Sequence, residues 1–201
     1  MSDQVALKIA IDLMHVPSQV RLFKSEPLPD GVLMLLRIAA GDEAADQAAI
    51  DITGRSRATV QRAAAFFIEQ ILFAADADSY RVLGTDPQAS PGELRRNVAL
   101  LLRWLHPDLD PRGERSVFVG RVTAAWNDLK TPDRRAAYDA QSTHRRSNGK
   151  ARTGRSSKRK QFSSILPRQN GRGMSAPSPL GQGRVGFFRR ALSVLFNRPP
   201  Q

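Results

Sequence analysis

His106-Pro107-Asp108 concentrates more chemistry than any other triplet in this chain: an imidazole and a carboxylate with a proline between them. It lies between two helix-like segments inside a compact stretch of about sixty residues. Its meaning depends on whether the flanks build a helical hairpin that holds such a loop out for a partner. Other chemistries lack their residues. His15, His106 and His144 are too far apart in sequence to suggest a metal site, and the absence of cysteine excludes a disulfide framework and a cysteine-ligated metal. No glycine loop of the phosphate-cradling kind and no serine elbow occurs. With no catalytic constellation, the chain is expected to act by binding, without a metal or a cofactor.

The segment before the triplet carries the punctuation of a helix. Ser90-Pro91-Gly92-Glu93 is a capping box with proline at the first helical position. Leu94, Val98, Leu101, Leu102 and Leu105 recur at helical spacing and draw one apolar stripe up to His106. Pro107 and Pro111 stop the helix, since each lacks an amide and disfavours helical geometry in the residue before it. Beyond them, Val119, Val122, Trp126 and Leu129 share a second helical face. The spacing predicts two antiparallel helices joined by a polar, proline-bearing loop. Thr131-Pro132 opens a short last helix, expected to end near Tyr138-Asp139. Upstream, Asp78-Ser79-Tyr80-Arg81-Val82-Leu83-Gly84 is a short apolar turn with a glycine stop.

These residues, with Ala89-Ser90, Ala125-Trp126, Pro132 and Arg135-Ala136-Ala137-Tyr138-Asp139, make residues 78–139 resemble a J domain, the module of the DnaJ co-chaperone family. The resemblance covers about sixty of 201 residues. It implies binding to a DnaK-type (seventy-kilodalton heat-shock) chaperone. In the family the loop docks near the junction of that partner's nucleotide domain and linker, and accelerates its ATP hydrolysis. Carried over, His106, Pro107 and Asp108 would be the stimulating loop. Asp108 would offer a carboxylate to a partner arginine, a charge-assisted pair. Pro107 would keep the loop rigid, and His106 would pack and hydrogen-bond at the helix end. Arg95, Arg96 and Arg103 would form the basic face before the loop. The chain departs from the family where Ala99, Leu100 and Trp104 stand at commonly basic positions, and where Val98 replaces the usual aromatic. Basic side chains here speed and orient encounter, so their loss implies a weaker or more partner-selective one. Alternatively, Leu100 and Trp104 make an apolar contact with another part of this chain. By resemblance the chain is an activator of a partner ATPase, not an enzyme; it does not name its client.

Charge is spread unevenly. Residues 1–77 carry 7 Lys/Arg against 10 Asp/Glu, residues 78–139 carry 10 against 9, and residues 140–201 carry 14 against none, so the net +12 belongs to the tail. Without cysteine, the zinc module of full-length DnaJ-type proteins is excluded. Residues 140–183 are rich in Ser, Gly, Arg, Lys and Pro and are expected to form a disordered basic linker. Its cluster Arg155-Ser156-Ser157-Lys158-Arg159-Lys160 is a solvated charge run or a nonspecific site for RNA, ribosome or anionic lipid. In residues 184–201, a helix from Val185 to Asn197 would set Phe187, Phe188, Leu192, Val194, Leu195 and Phe196 on one face. Arg189, Arg190, Ser193 and Asn197 would fall on the other. This basic amphipathic pattern makes Phe187, Phe188, Arg189, Arg190, Leu192, Leu195 and Phe196 candidate contacts to an anionic membrane surface. The alternative is docking on the protein or in a partner groove. The chain begins without a signal-peptide pattern and has no apolar run long enough to span a bilayer. A cytoplasmic location is expected, peripheral at the inner face of a membrane if the last segment binds lipid.

Residues 1–77 read as a helical region of unassigned role. Asp30 is placed to cap a helix through Val32, Leu33, Leu35, Leu36 and Ile38, closed by Gly41. Asp42 is placed to cap a second through Ala45, Ala49 and Ile52, followed by Gly54. Ser56 begins a third, striped by Val60, Ala64, Phe67, Ile68, Ile71 and Leu72. The alternation of Val5, Leu7, Ile9 and Ile11 fits a short strand or a helix start. The stretch from Ala48 to Arg62 is similar to a DNA-reading helix-turn-helix, which makes Arg57, Gln61 and Arg62 candidate nucleic-acid contacts. The region's net acidity argues instead for helical packing or client binding. The chain is thus expected to be all-α: a helical N-terminal region (1–77), a four-helix J domain with an antiparallel helical hairpin (78–139), and a disordered basic tail (140–183) ending in an amphipathic helix (184–201). The competing function is a nucleic-acid- or membrane-associated adaptor that uses the J domain as a scaffold.

Overall fold

The computed structural model describes the backbone of residues 3–153 and the side chains of residues 4–142. The charge cluster 155–160, the side chain of His144 and the whole segment 184–201, with Phe187, Phe188, Arg189, Arg190, Leu192, Leu195 and Phe196, lie outside the described residues. Among those described, every regular element is helical.

The chain opens with helix α1 (Asp3–His15), not a strand. Ala6, Leu7, Ala10 and Ile11 turn inward at helical spacing, whereas Val5, which the alternation would bury with Leu7, stays 47% exposed. A one-turn helix α2 (Val20–Phe23) leads through an irregular stretch to α3 (Val32–Ala39), α4 (Glu43–Thr53) and α5 (Arg57–Phe67). The last continues as a π turn, Ile68–Leu72. Asp42 accepts from the amides of Ala44 and Ala45, and Ser56 from that of Thr59, as their spacing predicts. Asp30 does not cap α3. Gly31 takes that position at φ 92°, outside the extended geometry of a side-chain cap, and the Asp30 carbonyl instead accepts from the amide of Ala6 in α1 at 3.1 Å.

Four more helices follow: α6 (Ser79–Val82), α7 (Pro91–Trp104), α8 (Val119–Leu129) after a short 3-10 turn (Glu114–Phe118), and α9 (Pro132–Thr153). The capping box forms in full: Ser90 donates its amide to Glu93 Oε2 at 2.7 Å, and Glu93 donates its own to Ser90 Oγ at 3.2 Å. Leu94, Val98, Leu101, Leu102 and Leu105 of the first hairpin arm share a core with Val119, Val122, Ala125 and Leu129 of the second. The last helix runs on to Thr153, past the stop expected near Tyr138-Asp139, so residues 140–153 are helical where a disordered linker was expected. The reason is local: Ala136, Ala137, Ala140 and Gln141 favour helix, and the first glycine after Pro132 is Gly149. The closing residues fasten the module. Tyr138 Oη accepts from the amide of Ser79, Tyr80 Oη donates to Asp139, and Arg135 donates to Tyr80 Oη and to the carbonyls of Ala89 and Pro87.

The apolar core runs through residue 77 without a break. Arg81 donates to the carbonyls of Ile71, Glu26 and Phe23, and Arg121 to those of Phe73 and Ala74 at 2.7 and 2.6 Å. Gly84, at φ 65°, seats against α3 so closely that a Cβ there would lie 3.0 Å from Val32 Cγ1 and 3.4 Å from Leu36 and Leu72. Gly84→Ala would combine a left-handed backbone with this overlap. It should cost about 2 kcal/mol, read as a lower urea midpoint. An unchanged midpoint would contradict the contact between α3 and the end of α6.

Candidate functional site

Helix α7 divides its surface. Leu94, Val98, Leu101 and Leu105 are buried in the core. Arg95, Arg96, Ala99 and Arg103 are exposed. Arg96, Ala99 and Arg103 follow one another at three- and four-residue spacing, a single row that leads to the loop. The remaining surface faces inward too. Asn97 donates to the carbonyls of Leu83 and Gly84. Trp104 is only 2% exposed, with its ring centroid 6.1 Å from that of Phe73, and Leu100 is half-buried against the core. The Trp104 departure from a basic pattern therefore coincides with an apolar contact to the segment preceding residue 78.

The loop turns tightly. The His106 carbonyl accepts from the amides of Leu109 and Asp110 at 2.9 and 3.1 Å. His106 Nδ1 lies 3.3 Å from both the amide nitrogen and Oδ2 of Asp108. The His106 side chain is partly exposed, whereas that of Asp108 is 86% exposed. Two residues on, Asp110 is buried and accepts from the amide of Arg115 at 2.8 Å. The arrangement presents a carboxylate to solvent on a constrained backbone, in continuation of a helix face bearing three guanidinium groups.

Arg115 and Glu69, which no local pattern flags, flank this loop. The Arg115 guanidinium donates to the Leu109 carbonyl at 3.3 Å, lies 4.8 Å from the Trp104 ring centroid, and has Nε 3.6 Å from Glu69 Oε1. Burial pushes the Glu69 carboxyl above its ordinary value of 4.5, and Arg115 opposes the rise. The folded chain thus holds the Glu69 proton more tightly than the unfolded one. This contribution to stability is complete below pH 4.5 and is lost as pH rises through the folded value. The stability of the wild-type chain relative to Glu69→Gln should therefore fall between pH 4 and pH 7, measured by urea denaturation. A difference that is flat or rises with pH would contradict the burial of Glu69.

Arg57 and Gln61 converge on one buried group. Asp46, 1% exposed, accepts from Gln61 Nε2 at 2.7 Å and faces Arg57 Nε at 3.3 Å, which ties α4 to α5. Their four-residue spacing marks a common face, but that face meets α4. Arg62 is exposed. The structure does not gather the three into one outward row. No helix among the described residues is long and apolar enough to cross a membrane.

Curated proteins support the J-domain resemblance. The chain is 40% identical over 63 residues to a chaperone protein DnaJ of Leifsonia xyli subsp. xyli and 42% identical over 62 residues to one of Tropheryma whipplei. It is 38% identical over 64 residues to chaperone protein DnaJ 1 of Mycobacterium leprae. The first two matches cover 31% of this chain and 17% of the relative, the third 32% and 16%. The chain thus matches about a sixth of each relative's length. No family model matches the chain, and no solved structure matches it. The matched length is that of the helical module 78–139. Over about a third of its length this chain is similar to DnaJ chaperones, and its described residues are all-α, with helices α6 to α9 sharing one core with the N-terminal helices.

Proposed function

We propose that this chain binds a DnaK-type chaperone through residues 78–139, stimulates its ATP hydrolysis, and recruits it to a client or location. The observation that carries the reading is the exposed Asp108 carboxylate, held on a tight turn at the end of the exposed face that bears Arg95, Arg96 and Arg103. The arginine row steers an acidic partner surface into register, an effect on encounter rate that salt screens. Asp108 then pairs with a partner cation in a contact shielded from water. Pro107 and the turn hydrogen bonds to His106 limit the order that docking must impose. The chain contributes no atom to hydrolysis and acts as an activator, not an enzyme. Ala99 interrupts the basic row, so encounter is weaker or more selective than with a continuous one.

Single-turnover ATP hydrolysis by the DnaK-type chaperone of the same organism tests this. The wild-type chain accelerates turnover, and Asp108→Asn or His106→Gln reduces the acceleration about tenfold or more, the scale of one lost charge-assisted contact. Equal rates with wild type and either variant would contradict the assignment.

A further inference from the structure

We infer that Arg115 is a positioning residue for the His106-Pro107-Asp108 loop, and that the N-terminal helices set the loop geometry through it. The inference rests on the co-chaperone reading. Arg115 holds the two residues that follow Asp108: its amide donates to the Asp110 carboxylate, and its guanidinium donates to the Leu109 carbonyl. The other contacts of the same guanidinium come from outside the loop. Trp104 lies beneath it at 4.8 Å, and Glu69 of the π turn faces Nε at 3.6 Å. Trp104 and Phe118 each lie beside Phe73, with ring centroids 6.1 and 4.8 Å away. The Leu109 side chain also reaches the turn between α3 and α4, 4.0 Å from where a Cβ on Gly41 would sit.

A guanidinium suits this position because it stacks on an indole through its face while donating in its plane. A point charge on a flexible stem provides the first interaction and only part of the second. The loop's restraint thus depends on residues before position 78. Glu69 and Arg115 stand outside the exposed row of α7, so replacing them leaves Arg95, Arg96, Arg103 and Asp108 in place for the partner.

Full-length Arg115→Gln, Arg115→Lys, Glu69→Gln and the double Gln variant test the inference with two readouts. The first is hydrogen exchange at the amides of Leu109 and Asp110. The second is the stimulated single-turnover rate, resolved into its maximum and the half-saturating concentration. In Arg115→Gln both amides exchange about tenfold faster while amides of the α8 core do not change. Maximal stimulation falls about fivefold with little change in half-saturation, as expected when docking survives but loop geometry does not. Glu69→Gln acts in the same direction by less and adds nothing on top of Arg115→Gln, the non-additivity of a shared contact. Arg115→Lys recovers part of the loss. Wild-type exchange and stimulation in Arg115→Gln, or strictly additive losses, would overturn the inference. If the wild-type chain does not stimulate at all, the co-chaperone reading fails, and exchange at Leu109 and Asp110 still decides the positioning claim. Should Arg115→Gln unfold, the α8 amides report it. The near-isosteric Glu69→Gln then decides: faster exchange at Leu109 and Asp110 supports the inference, and unchanged exchange overturns it.

Discussion

The C-terminal end of α5 and its π turn is where two regions of the chain become one body. A helix end presents carbonyls without intrahelical partners and a partial negative charge. Here Arg81 and Arg121, both from beyond residue 77, donate to the carbonyls of Ile71, Phe73 and Ala74. Burying a guanidinium is costly unless its donors are engaged and its charge is balanced. Burial lowers the tendency of Arg81 to hold its charge, and Asp78 and Asp76 oppose this. The carbonyls of Phe23 and Glu26 take further donors of Arg81, the Glu26 contact at the exposed edge of the junction. Trp104 against Phe73 and Gly84 against α3 supply the apolar part of the same junction.

That junction explains which surface of α7 stays exposed. A helix in a simple hairpin buries one stripe and leaves a wide face to solvent. Helix α7 buries Leu94, Val98, Leu101 and Leu105 in the core and also directs Asn97 and Trp104 inward, so that Arg95, Arg96, Ala99 and Arg103 remain outside. Trp104, at a position that the resemblance leads one to expect basic, meets the segment before residue 78, so this part of the helix is internal contact and not surface. The loop at the end of α7 inherits the consequence, because Leu109 and Arg115 touch both sides of the junction.

What the sequence made legible was local. The caps Asp42, Ser56 and Ser90, the glycine stops, and the apolar stripes of α5 and α7 are written within a turn or two, and the structure bears them out. The His106-Pro107-Asp108 triplet is equally local. Two local expectations give way to context: Gly31 takes the place of Asp30 at the start of α3, and alanines carry α9 past Asp139. Of the two readings open for residues 5–11, strand or helix start, the helix holds. The junction was not legible, because Arg81 to Phe23, Arg121 to Phe73 and Arg115 to Glu69 join residues more than forty positions apart. An arginine that reaches a distant backbone carbonyl has no periodicity. Likewise Arg57 and Gln61 meet Asp46 across eleven and fifteen positions, a pairing that no turn-level pattern marks.

Native-state hydrogen exchange along a denaturant series tests the one-body account most directly. Amides of Ala63 and Ala64 in α5 and of Val98 and Leu101 in α7 are buried on opposite sides of the junction. They should merge into a single global opening with a common free energy and a common dependence on denaturant. Earlier opening of the α7 amides, with a smaller denaturant slope while α5 stays protected, would show that the two regions unfold separately and would contradict the account.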